Sequence, residues 1–285
     1  MKRVAFIVIL AVLLVVLFFE IRSRRANFGE MNNIGNRLST YFREMAVSWN
    51  NGQTYVTDVF FKNDDEFYKN LPTKIDPPSD FPGIPSSIKP HDDWICDRED
   101  ILQLWKVMKP YIHKILDETL EKSGLKMEQK VPVIHFRCAD TPFNRHPEYH
   151  LQKYTFYKKA LEGYSEADIV SCNTHLASED DKKTCQKYIE YIQKELDPIK
   201  LNAVCGTINE DFARMFYAPV CISTGSSMSF FAGYFGKGTF ITGGHYDEKN
   251  KTKCLICDLG THELLHSEVV DYYDVETIHK QLGGT

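Results

Sequence analysis

Three short segments concentrate side chains able to hold a phosphate or a ribose. His135-Phe136-Arg137-Cys138-Ala139-Asp140 sets a polar trio directly behind an apolar run. A guanidinium there can grip a diphosphate through charge-assisted hydrogen bonds. The same Arg137 can equally brace its own loop by pairing with Asp140. The second segment is Ala177-Ser178-Glu179-Asp180-Asp181. Carboxylates at a helix start answer the capping and dipole requirements of that end; they can also read a ribose hydroxyl or a base edge. In the third, Ser223-Thr224-Gly225-Ser226-Ser227-Met228-Ser229, a Gly/Ser run leads from a strand into a helix. It offers N–H groups and hydroxyls to an anion, or serves as an ordinary capping turn. No Gly-Lys-Ser/Thr follows it, so it is not a P-loop, and it does not fit Gly-x-Gly-x-x-Gly.

Moving a proton needs a carboxylate or histidine within hydrogen-bond reach of an acceptor hydroxyl. Asp140, His146, Glu148 and His150 all lie in the stretch that follows Arg137, and Glu148 is the preferred base. Pro147 spoils the helical spacing that a His-Glu-x-x-His metal site requires. No Asp-x-Asp triplet occurs in the chain.

The elements that must position these groups alternate in the second half. Strands are expected at Val131–Phe136, Ala167–Cys172, Leu201–Cys205, Val220–Ser223 and Thr239–Thr242. Helices are expected near 154–161, from Ser178 to Leu196, near 209–217 and near 226–235. Short apolar strands separated by amphipathic helices predict a parallel sheet covered on both faces. Ligands bind such sheets at the carboxyl ends of the strands, where the three segments fall. In the first half, Leu38, Tyr41, Phe42 and Met45 recur at helical spacing, so a helix starts just past Gly35-Asn36. Gln53–Phe61 reads as a strand, and the six prolines of 72–90 read as loop. Asp97 caps a helix that Pro110 is expected to kink or divide.

Size and charge set the limits. The chain has 285 residues and a net charge of −5. Five basic residues against Glu20 give residues 1–25 a charge of +4, leaving −9 on the rest. An acidic head of that kind argues against a broad nucleic-acid surface. Val4–Phe19 is apolar throughout, short for a span but followed by no small-residue cleavage site, and reads as an uncleaved signal anchor. Basic residues flank it on both sides, so charge alone does not orient it. Eight cysteines are compatible with a disulfide-forming lumen. Cys172, Cys205 and Cys221 sit in apolar runs, where a small buried side chain is the simpler account. Cys254 and Cys257 have redox spacing but lie in a Lys-rich stretch that shows no strand-then-helix opening. Asn250-Lys251-Thr252 is a glycosylation sequon.

Taken in order, these segments resemble the fucosyltransferase superfamily that includes the α-1,2-, α-1,6- and protein O-fucosyltransferases. His135-Phe-Arg137 with Asp140 is similar to its His-x-Arg-Arg-x-Asp motif, and Ala-Ser-Glu-Asp to its Ala-Thr-Asp-Asp. Glu210-Asp-Phe-Ala-Arg-Met215 followed by Ser226-Ser227-Met-Ser229 resembles its closing block. Ile34-Gly-Asn-Arg-Leu resembles its opening Gly-Asn element. The resemblance implies an α/β, GT-B-like fold of two Rossmann-type lobes with mostly parallel sheets, behind a transmembrane helix. The corresponding divisions are 1–25 for the anchor, 26–130 for the acceptor-side lobe and 131–285 for the donor lobe. It further implies a GDP-sugar donor such as GDP-fucose, a glycan or glycoprotein acceptor, inversion, and no required metal or other cofactor. By carry-over, His135 and Arg137 hold the donor phosphates with Ser226, Ser227 and the Gly35-Asn36 loop, while Glu179 or Asp180 contacts the nucleoside. The expected setting is a single-pass type II protein of the Golgi or ER, anchored through residues 4–19, with a lumenal catalytic head. Cys138 stands where the family has a second Arg and Met228 where it has Phe, which leaves the sugar open. The alternative is a membrane-tethered module that binds a sugar nucleotide or glycan without turnover.

Overall fold

The computed structural model describes residues 34–57, 66–89, 99–136, 152, 154–170, 179–204, 206–223, 225–244, 246–247, 252–253 and 264–266. The first part is helical: α1 (Ile34–Asn50), a short α2 (Glu66–Lys69) and the long α3 (Glu99–Lys122). Between them β1 (Tyr55–Val56) and β2 (Lys74–Ile75) pair antiparallel. The alternating part then runs β3 (Val133–His135), α4 (Tyr154–Ala160), β4 (Glu166–Val170), α5 (Glu179–Glu195), β5 (Lys200–Ala203) and α6 (Ile208–Tyr217). It continues with β6 (Val220–Ser223), α7 (Ser227–Tyr234), β7 (Thr239–Gly244), β8 (Tyr246–Asp247), β9 (Thr252–Lys253) and β10 (Leu264–His266).

Six of these strands form one sheet in the order β10-β7-β6-β3-β4-β5, and every pairing in it is parallel. From β3 the chain steps outward through β4 to β5, then returns to the other side of β3 and steps outward again. That is the strand order of a Rossmann-type sheet. Alternation along each strand divides the side chains between two cores. Val133, Val170, Cys221 and Phe240 face a core built with α1, α3, α6 and α7. Ile134, Ile169, Ile222 and Ile241 face a core built with α4 and α5. A sheet buried on both faces needs near-continuous apolar strands, and Val-Ile-His and Val-Cys-Ile-Ser supply them.

The expected α/β character with a parallel sheet is observed. Among the described residues there is one parallel sheet, and residues 34–122 add a helical layer to one of its faces. The apolar stripes of α1 and α3 are buried against the same core as α6 and α7, so they complete this sheet. Of the expected strand at 53–61, Tyr55–Val56 is a strand paired with Lys74–Ile75, and 58–61 lie outside the described residues. Pro110 does not divide α3, which is continuous from Glu99 to Lys122. The proline sits on the exposed side of the helix, while Leu104, Trp105, Met108, Ile112 and Leu116 are buried before and after it. Burial of that stripe outweighs one lost backbone hydrogen bond. Residues 1–33, which include the expected anchor, lie outside the described residues; among the described ones no helix is long and apolar enough to cross a membrane.

Two polar groups test the packing of this frame. Tyr188 is buried in α5, its hydroxyl donating to the Gln152 carbonyl at 2.6 Å and lying 2.7 Å from the Tyr157 hydroxyl. With its own proton committed to the carbonyl, it accepts from Tyr157, and burial drives its pKa well above the usual phenol range. Tyr188→Phe removes both bonds from a buried site, costing roughly 1–2 kcal/mol. Urea unfolding should register that loss, and a change near zero would contradict the network.

At the far end of α3, the Asp117 carboxylate accepts from the Tyr217 hydroxyl at 2.8 Å and lies 3.3 Å from Lys237 Nζ. Burial alone would raise its pKa; the Tyr217 bond and the bond and charge of Lys237 outweigh this and hold it below the usual range. A carboxyl depressed in the folded state stabilises above its unfolded pKa, and the contribution disappears as pH falls through the folded value. Asp117→Asn should therefore cost roughly 1 kcal/mol at neutral pH and flatten part of the stability loss below about pH 4. Urea midpoints measured from pH 7 to pH 2 check both statements.

Candidate functional site

The strand order reverses between β3 and β6, and in open parallel sheets the crevice at such a point receives the ligand. His135 ends β3 and Ser223 ends β6, and the two are register partners. Both are buried. The first and third sequence segments therefore leave the sheet side by side.

The turn from β6 into α7 is built by its serines. Ser229 Oγ donates to the Ser226 carbonyl at 3.1 Å, so its contact with Ser223 Oγ at 2.7 Å is one in which Ser223 donates. Ser223 Oγ in turn accepts from the Gly225 N–H at 3.1 Å. Gly225 has φ +93°, a conformation that a Cβ would strain, which explains the glycine within the serine run. Ser226 is the N-cap, its hydroxyl accepting from Met228 N at 3.2 Å. Ser223 and Ser229 thus hold the turn, and Ser226 and Ser227 stand at the positive end of α7.

The Gly35 region reaches the same place. A Cβ built on Gly35 would lie 2.3 Å from the Ser227 carbonyl carbon and 2.4 Å from Met228 N. The start of α1 therefore presses against the start of α7, and only glycine permits the contact. Farther along, Phe42 stacks on Phe231 with ring centroids 6.2 Å apart. Gly35 and Asn36 are corrected in one respect: they occupy the first turn of α1, not a loop ahead of it. Asn36 is exposed there. Two helix N-termini thus converge beside the switch point, an arrangement suited to negative charge.

The second segment opens α5, with Glu179 and Asp180 as its first residues. It follows β4, the neighbour of β3 on the other side, with Val170 in register with His135. Asp211, to which the sequence alone assigns no chemistry, is a buried carboxylate. It accepts from the Gly206 N–H at 3.0 Å at the start of α6. Beside it Thr207 and Glu210 form a reciprocal capping box. Bonds from the Thr207 backbone and side chain hold Glu210 below the usual carboxylate range. The signal was legible as Thr-x-x-Glu ahead of an apolar run.

The structure thus brings together His135, Gly35, Ser226 and Ser227, with Asn36 at the margin, and starts α5 from the adjacent strand. Arg137, Cys138, Asp140, His146, Glu148 and His150 lie outside the described residues, as do Asn250, Cys254 and Cys257. Of the remaining cysteines, Cys185 is disulfide-bonded, whereas Cys221 is a buried free thiol whose pKa burial pushes up. No family model, no curated protein and no solved structure matches the chain.

Proposed function

We propose that this protein is a glycosyltransferase that takes a sugar from a GDP-sugar, most simply fucose from GDP-fucose, and passes it to a hydroxyl of a glycan or glycoprotein with inversion and without a required metal. The observation that carries the proposal is the convergence at the strand-order reversal. β3 ends at His135, in register with Ser223 just ahead of the serine turn of α7, and the start of α1 closes on that turn. Departure of a nucleoside diphosphate needs fixed positive charge and aligned N–H donors. Two helix N-termini supply such N–H donors, and Arg137, two residues past the end of β3 in the sequence, is assigned the charge. Glu148 takes the acceptor proton, Asp140 positions the Arg137 turn, and Glu179 or Asp180 reads the nucleoside.

In this reading the described sheet is the donor lobe, 131–285. The acceptor side, 26–130, is its helical layer, a reduced form of the GT-B pairing. An anchor at residues 4–19 and a lumenal head in the Golgi or ER belong to the same proposal, and the disulfide at Cys185 fits an oxidising compartment. The second reading, a tethered module that binds without turnover, draws on Cys138, which leaves one positive charge fewer beside the diphosphate.

A hydrolysis screen on the purified head with GDP-fucose, GDP-mannose and several UDP-sugars tests the proposal. Release of GDP is expected, and Arg137→Ala should slow it roughly a hundredfold or more, the scale of losing one transition-state donor, with the fold intact. Turnover of UDP-sugars alone, or full activity in Arg137→Ala, would remove the donor assignment. Binding without turnover across a panel of acceptors would select the second reading.

A further inference from the structure

We infer that His113 is a positioning residue for the candidate site: it fixes the C-terminal end of α7 and so the aim of that helix's first turn, where Ser226 and Ser227 stand. Its effect on a bound nucleotide rests on the donor reading above; its effect on α7 does not. α7 has eight residues, a length of roughly 12 Å at 1.5 Å per residue. Over so short a rod, a tilt at one end displaces the other. The last carbonyls of a helix lack partners within it, and the last turn of α7 carries no basic residue to answer them.

α3 supplies what α7 lacks. Trp105, Lys109 and His113 recur every fourth residue, which places them along one face of α3. Each meets α7 or its cap. Trp105 packs on Phe230, Phe231 and Phe235, and Lys109 Nζ lies 4.2 Å from the centre of the Tyr234 ring. His113 Nδ1 lies 2.8 Å from the carbonyl oxygen of Phe235, the C-cap residue. A carbonyl only accepts, so Nδ1 carries the proton and donates, in the neutral and the charged ring alike. The imidazole lies along Phe216 of α6, with centroids 5.4 Å and planes 18° apart, and this stacking directs Nδ1 at the carbonyl. The turn beyond α7 is drawn onto the same residue, since the Lys237 N–H donates to the Phe216 carbonyl at 2.8 Å. A Cβ on Gly236 would lie 2.6 Å from that carbonyl oxygen. His113 therefore joins α3, α6 and the end of α7 at one point. Apolar burial of the Trp105 kind is non-directional, whereas a hydrogen bond weakens steeply when its angle is lost. Ring packing attaches α7 to α3; the His113 bond orients it.

Two substitutions separate the donor from the ring. His113→Phe keeps a ring to lie on Phe216 and removes the donor. His113→Asn removes the ring and keeps an N–H donor at the position of Nδ1. Hydrogen exchange over 226–231, read by mass spectrometry, and GDP affinity, read by calorimetry, are compared on the full chain. In His113→Phe, exchange at this far end of α7 should quicken by about fivefold or more, and GDP binding should weaken by about tenfold. In His113→Asn both should stay close to wild type. Gln129→Ala, which removes bonds to Asp168 and the Val131 carbonyl at the opposite edge of the sheet, should change neither. His113→Phe matching wild type, or His113→Asn as impaired as His113→Phe, overturns the inference. So does a change confined to 235–238, or an equal loss in Gln129→Ala. If His113→Phe does not fold, nitrogen NMR of wild type decides: the His113 proton is expected on Nδ1, and a proton on Nε2 alone overturns the bond. If wild type binds no nucleotide, the donor reading fails, and the exchange comparison alone decides whether His113 orients α7.

Discussion

Gly35→Ala destabilises the protein by about 2 kcal/mol, although alanine is the better helix former. Gly35 lies in the first turn of α1, where the gain in helix propensity is at most about 1 kcal/mol. Against it stands a Cβ 2.3 Å from a backbone carbonyl carbon and 2.4 Å from a backbone nitrogen. Backbone cannot rotate away as a flexible side chain can, so the start of α1 must lift from the start of α7. Overpacking of this kind costs typically 1–3 kcal/mol, and Gly35→Val should exceed the alanine variant. The displaced atoms belong to Ser227 and Met228, so nucleotide binding should weaken together with stability. Chemical denaturation of Gly35→Ala beside wild type checks the first statement. A variant as stable as wild type would mean that the two helices are not packed in this way.

Trp105→Ala is expected to cost more, about 3–5 kcal/mol. Trp105 is fully buried in α3 and meets the rings of Phe230, Phe231 and Phe235 at 6.3, 5.4 and 6.0 Å. These phenylalanines belong to α7 and its C-cap, the helix whose first turn is the candidate anion site. Truncation removes a large apolar surface and the edge-to-face contacts, and it leaves a cavity that close-packed neighbours fill only in part. The variant should lose a large share of its thermal stability in a calorimetric scan. Trp105→Phe, which keeps a ring, should lose much less. Equal losses in the two variants would contradict the packing argument.

How much of this was legible in the sequence follows from what each signal depends on. The alternating strands and helices of the second half come from local patterning, and β6 falls at Val220–Ser223 as expected. The helix from Ser178 starts at Glu179, with Cys185, Tyr188 and Ile192 buried on its inner face and Leu196 buried just past its end. The order of the strands was not legible, because it depends on which edge each crossover reaches. That order is what makes His135 and Ser223 neighbours. The pressing of Gly35 on Ser227 was also hidden, since it joins positions nearly two hundred residues apart in the chain. At Pro110 the intrinsic cost reads directly from the residue, whereas the burial that keeps the helix undivided does not.

Thermal unfolding of the purified head with GDP, UDP or CMP addresses the central claim most directly, because anything that binds the native state alone raises its melting temperature by mass action. At a hundredfold excess over the dissociation constant the stabilisation is about 2.7 kcal/mol, a rise of roughly 5–10 °C for a fold of this size. The account predicts that rise with GDP, a smaller one with UDP or CMP, and its loss in Arg137→Ala. No shift with any nucleotide, or the same shift in Arg137→Ala as in wild type, would contradict it.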